Sequence, residues 1–104
     1  MTAVKKGETV YAVLNGRIQN LETVKEVHKG LAALSSGTTV VAKPDKFGEL
    51  LQSTKQTMLK YYAETEQIKH AWERQELITY LSSVNFKEVP LVKMRKIAAV
   101  LKNQ

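Results

Sequence analysis

Residues 44–84 constrain this chain more than any other stretch. Inside it no proline follows Pro44 and no glycine follows Gly48. Within it Phe47, Leu51, Thr54, Met58, Tyr61, Thr65, Ile68 and Trp72 recur at alternating steps of four and three. That spacing lines one side of an α-helix and predicts either one long helix or a helical hairpin. A single helix over this length would run about 60 Å at roughly 1.5 Å per residue, longer than a compact domain of this size is wide. Either the stretch bends back or a second chain covers its seam; the best break is near Ala63-Glu64-Thr65-Glu66, where Glu64 and Glu66 suit the first turn of a new helix. Beyond Trp72 the apolar side drifts to Leu77, Ile78 and Leu81, so the repeat is lost before a coiled coil is established.

The preceding residues read as a small mixed unit. Thr9–Leu14 and Arg17–Gln19 flank Asn15-Gly16, a pair that accepts positive φ in a two-residue hairpin turn. After Asn20, a candidate N-cap, the apolar residues Leu21, Val24, Val27, Leu31 and Leu34 fit one face of a helix. Gly30 would weaken that helix by roughly 1 kcal/mol relative to alanine, and Ser35-Ser36-Gly37 would end it. Thr38–Ala42 is β-branched and reads as a strand, stopped by Pro44. Ser82–Phe86 reads as a turn, and Pro90 opens a final helix, Leu91–Lys102. The expected fold class is α+β and predominantly helical. It comprises a β-β-α-β unit over residues 1–43, a long helix or hairpin, and a C-terminal helix in one domain. The expected core is Val10, Ala12, Leu14, Leu21, Val24, Leu31, Val41, Phe47, Leu51, Met58, Ile68, Trp72, Leu77, Leu81, Met94 and Ile97.

Charge bears on partners. The chain has 104 residues and a formal net charge of +6. Residues 1–44 carry +3, residues 45–84 carry −1 and residues 85–104 carry +4. The basic surplus thus sits at the ends, where an acidic partner would be met. Lys87, Lys93, Arg95, Lys96 and Lys102 are the candidate nucleic-acid-binding residues, since they could neutralise phosphates. Lys60-Tyr61-Tyr62 and Lys69 with Trp72 interleave cations and rings as single-strand binders do, although Tyr61 and Trp72 fit a core better. Helix-turn-helix geometry is disfavoured by the glycine-free connection before Leu91 and by the lack of a following helix.

Chemistry finds little support. The chain has no cysteine and two histidines, His28 and His70. Glu66 stands four residues before His70, one position off the carboxylate–histidine spacing of dimetal helices. Glycine-rich phosphate loops and a nucleophile elbow are absent. Glu73 and Glu76, one helical turn apart, are the nearest approach to paired carboxylates. The expectation is a non-catalytic protein that needs no cofactor or metal. Nucleic acid is the first-choice partner. The alternative is a protein partner or a homo-oligomer formed through the 47–72 seam. No apolar run is long enough to span a membrane and no signal-peptide core opens the chain. With the absence of cysteine, this fits a cytoplasmic protein.

Overall fold

The computed structural model describes residues 2–102. Strand β1 (Thr9–Leu14) and strand β2 (Arg17–His28) are joined by Asn15-Gly16, with φ of 51° and 78°. Both values lie where a type I′ turn needs them. The same device recurs at Lys29-Gly30, with φ of 51° and 79°, and sends the chain back into β3 (Leu31–Leu34). Strands β4 (Thr39–Val41), β5 (Glu49–Leu50) and β6 (Lys60–Ala63) complete a six-stranded antiparallel sheet in the order β4-β3-β2-β1-β6-β5. Its two edges then meet. Val40 bridges Gln52, the Val41 amide donates to the Leu51 carbonyl at 2.7 Å, and the Ser53 amide donates to the Thr39 carbonyl at 3.1 Å. The sheet is a nearly closed barrel, and closure removes the edges that an open sheet would leave unpaired.

Closing so small a barrel requires sharply bent strands. β2 has twelve residues, pairs with β1 along its first part and with β3 along its last. The register shifts opposite Ala12/Val13 and again between Val24 and Glu26, and such bulges bend a strand and increase its twist. Inside lie Val10 and Ala12 of β1, Val24 of β2, Ala32 and Leu34 of β3, Val40 of β4, Leu50 of β5, and Tyr61 and Ala63 of β6. Alternate residues of each strand point inward, as the pleat dictates. The alanines leave room for Tyr61, which is 1% exposed and donates its hydroxyl to Thr38 Oγ1 at 3.4 Å.

The fold is therefore not predominantly helical, because strand and α-helix occupy nearly equal shares. Two segments account for the difference. Residues 21–34 form a hairpin, not a helix. Their inward register in β2 includes the buried Glu22, whose Oε1 accepts the Ser36 amide at 2.9 Å. A charge inside and two bulges conceal the two-residue period, and Leu21, Val27 and Leu31 on the other face supply a false helical one. Gly30 makes the turn that reverses the strand.

The seam expected from residue 47 fails for a different reason. Asp45 Oδ1 accepts the Phe47 and Glu49 amides at 2.8 and 2.9 Å, folding the segment after Pro44 into a turn. Gln52 then holds the following loop. Its Nε2 donates to the Thr57 and Leu59 carbonyls, and its Oε1 accepts the Gln56 and Thr57 amides. Local side-chain bonds thus satisfy backbone groups that a helix would have satisfied. Phe47, Leu51 and Met58, expected in the core, are exposed. The 47–72 seam is not one surface, since only its last residues are helical.

Helix α1 (Glu66–Ser83) starts at the anticipated break, with Thr65 Oγ1 accepting the Ile68 amide at 3.3 Å. A single 3-10 turn, Phe86–Glu88, leads to α2 (Leu91–Lys102), whose bounds are those read from the sequence. Neither helix contains a buried residue. The molecule measures 58 × 23 × 23 Å, and its radius of gyration of 18.2 Å exceeds the roughly 13 Å of a compact chain this long. It is a barrel carrying a helical arm.

Where the arm leaves the barrel, the Tyr11 hydroxyl donates to Glu64 Oε2 at 2.9 Å. Burial first, then this bond and the carboxylate's charge, push the Tyr11 hydroxyl up to about 12. An unfolded tyrosine ionises near about 10, so from there upward the unfolded chain releases a proton that the folded chain keeps. Stability from this group is complete below pH ~10 and is lost as pH rises toward ~12, by about 2–3 kcal/mol. Tyr11→Phe should flatten that part of a urea-denaturation pH profile relative to the parent protein. The barrel core gives a second test. Leu50→Ala should cost about 2–5 kcal/mol in urea unfolding, whereas Leu51→Ala, one residue on and exposed, should stay within about 0.5 kcal/mol.

Candidate interaction surface on the helical arm

The basic residues singled out in the sequence all lie on the arm. Lys87 is in the 3-10 turn, and Lys93, Arg95, Lys96 and Lys102 are on α2. All are exposed, and none is within ion-pair distance of a carboxylate among the described residues. Helical phase, at about 100° per residue, divides those on α2. Lys93 borders the stripe Leu91, Met94, Ile97, Ala98 and Leu101 on one side and Arg95 and Lys102 border it on the other, while Lys96 lies across the helix between Val92 and Val100. The four cations are spread around the helix instead of forming one basic face. A phosphate backbone along one side of α2 would meet about two of them.

α1 is two-faced. Ile68, Trp72 and Gln75, at steps of four and three, are half-buried and turn toward the barrel. Gln75 makes the clearest link. Its Oε1 accepts the Ile18 amide at 3.1 Å and its Nε2 donates to the Ile18 carbonyl at 2.6 Å. Ile18 lies in the part of β2 that β3 does not reach, so the side-chain amide takes the place of a neighbouring strand. Past Gln75 the apolar residues change sides. Leu77, Ile78 and Leu81 lie on the face away from the barrel and are about half exposed. The apolar drift visible in the sequence marks this switch. Glu66 and Glu73 border the outer face, while Glu76 lines the barrel-side cleft with Trp72 and Arg17. On α2, Leu91, Val92, Val100 and Leu101 are each more than 60% exposed. Apolar side chains therefore lie open along the arm from Leu77 to Leu101.

The other candidates take structural places. Tyr61 is in the barrel core and Tyr62 is half-buried, so Lys60-Tyr61-Tyr62 offers no pair of bare rings. Trp72 lines a cleft of about 440 Å³ with Arg17, Gln19 and Tyr80, against the barrel wall. A second cleft, of about 280 Å³, is lined chiefly by Val13, Ile18, Phe47, Tyr62 and Ile68 and contains no ionisable side chain except Tyr62. Ser35-Ser36-Gly37 is the β3–β4 connection, in which the Ser36 hydroxyl donates to Thr38 Oγ1 at 3.2 Å. His28 ends β2, and His70 lies beside Glu66 on α1 at 3.9 Å. Among the described residues no three histidine, aspartate or glutamate side chains gather as a metal site would require. No helix among them is long and apolar enough to cross a membrane.

The tie from Gln75 to the barrel and the exposure of Leu77, Ile78 and Leu81 were not foreseen from the sequence, which placed Leu77 and Leu81 in the core. A mid-helix glutamine gives no signal by itself, because its partner is the backbone of a strand 57 residues away. Comparison with protein-family models, curated proteins and solved structures finds no match.

Gln75→Ala removes both hydrogen bonds to Ile18, each worth about 0.5–1.5 kcal/mol net. Amides in the first half of α1 should then exchange with solvent roughly tenfold faster while those of β1 and β6 keep their protection, a contrast measurable by hydrogen–deuterium exchange.

Proposed function

We propose that this is a non-catalytic binding protein that docks onto another protein through its helical arm, with the barrel as the rigid mount. One observation carries the reading: the large apolar side chains between Leu77 and Leu101 stay exposed on two helices that contain no buried residue. Scattered exposed apolar residues are ordinary, but a run of them along one extended element marks an interaction surface. A twelve-residue helix is also marginal in water without packing, so α2 gains stability from whatever covers it. Helices that present apolar anchors with charged borders suit a protein groove or a partner helix. The absence of cysteine accords with a cytoplasmic setting.

A second reading keeps nucleic acid as the partner. It is favoured by the exposed cations Lys87, Lys93, Arg95, Lys96 and Lys102 and by the +4 charge of residues 85–104. Fluorescence anisotropy with single- and double-stranded DNA and RNA at about 50 and about 200 mM salt separates the two. With about two phosphates contacted, any binding should be weak and should fall about tenfold over that range. Submicromolar affinity that persists at the higher salt and drops with Lys93→Ala plus Lys96→Ala would replace the protein reading with the nucleic-acid one.

A further inference from the structure

We infer that the protein docked by the arm is acidic and has an apolar groove that closes around α2 from opposite sides. This rests on the arm being a protein-docking surface, and it names the chemistry of what docks. α2 carries Lys93, Arg95, Lys96 and Lys102 and no acidic residue, and none of the four is within ion-pair distance of a carboxylate among the described residues. A helix with four cations and no anion is complementary to a negative surface and repels a positive one. Helical phase sets the shape that surface must have. At about 100° per residue, Leu91, Ile97, Ala98 and Leu101 lie within about 60° of Met94, whereas Val92 and Ala99 lie roughly opposite it. Around the circumference each cation stands between apolar residues. Lys93 lies between Ile97 and Val100, Lys96 between Val100 and Val92, and Arg95 with Lys102 between Ala99 and Leu91.

A flat surface cannot satisfy such a helix. A bilayer or a duplex lying against the Met94 side leaves Val92 in water. Val92 and Val100 are 62% and 63% exposed, as open as Leu91 and Leu101 on the stripe. A helix apolar on several sides belongs in an enclosed setting. A groove whose floor takes the Met94 stripe and whose walls carry carboxylates meets Lys93 on one flank and Arg95 and Lys102 on the other. As it closes it covers Val92 and reaches Lys96. Size favours closure too. α2 is about 18 Å long and about 10 Å across, so its whole lateral surface is roughly 600 Å² and one side of it roughly 300 Å². Stable complexes bury about 600–1,000 Å² on each partner. One side of α2 falls well short of that, and its full circumference reaches it.

Calcium-loaded calmodulin serves as the probe, an acidic protein whose methionine-lined grooves enclose basic apolar helices. In isothermal titration calorimetry the full chain should bind it with a Kd of about 1 μM or below, and chelating the calcium should abolish binding. Met94→Gln and Val92→Gln, on opposite sides of α2, should each weaken the complex at least about tenfold. Lys93→Gln with Lys96→Gln, and separately Arg95→Gln with Lys102→Gln, should each weaken it about fivefold. Glutamine is a good helix former and α2 contains no buried residue, so these variants keep the helix and the barrel. Leu77→Gln with Leu81→Gln, on α1, should leave the affinity unchanged. No binding to calcium-loaded calmodulin, or a complex weakened by Met94→Gln but indifferent to Val92→Gln, overturns the enclosing groove. Either result leaves the protein-docking reading, which needs only an apolar contact on one side of the arm. Tighter binding to phosphatidylserine vesicles or to DNA than to calmodulin overturns both.

Discussion

Closure of the barrel at Val40 and Gln52 is the contact on which the rest of the molecule depends. Without it the sheet would end on two short strands, β4 and β5, with their backbone groups open to water. Two-residue β5 has little cohesion of its own and is held by β6 on one side and by the continuation of the chain across to β4 on the other. Closure brings Leu50, Val40 and Tyr61 into one interior. It also explains the alanines at positions 12 and 32, both fully buried. A barrel this narrow fills its centre with a few large side chains and needs small ones opposite them.

The arm inherits its direction from that barrel. Two side chains hold its root: Tyr11 reaches Glu64 just before α1, and Gln75 ties the third turn of the helix to β2 at Ile18. Between them Ile68 and Trp72 lie on the barrel wall. Once past Gln75 the helix has no more barrel to lie on, and its apolar residues move to the opposite side. A helix that changes its apolar face partway along serves two different surfaces in succession. The first surface is its own barrel. The second is outside the chain, on the reading proposed above.

Much of the local structure was legible. Asn15-Gly16, Glu66 and Pro90 each act through their own backbone neighbours, so the first hairpin, the start of α1 and the start of α2 follow from local chemistry, although Thr65, read as part of the seam, proved to be the cap of α1. The strand over Thr39–Val41 follows from its β-branched residues. The errors have equally definite causes. Gly30 was read against a helical period when it was the hairpin turn, because the buried Glu22 and two bulges broke the alternation of β2. Residues 47–58 gave an accidental four-three rhythm, and nothing local showed that Asp45 and Gln52 would capture the backbone first. As for the interaction surface, the basic residues were visible, but their scatter around an apolar stripe becomes meaningful only once α2 is known to lack a covering element.

The amino-acid sequence alone determined the Asn15-Gly16 turn and the starts of the two helices, along with the excess of positive charge near residues 85–104. Those properties depend on residues within a few positions of one another. Tertiary structure decided which strands pair, which half of each apolar pattern faces inward, and that the arm stands away from the barrel. These outcomes hang on contacts such as Gln75 with Ile18 and Val40 with Gln52, where neither partner carries any local trace of the other. Burial belongs to the assembled shape, so Leu50 can be sealed inside while Leu51, beside it and chemically identical, faces water.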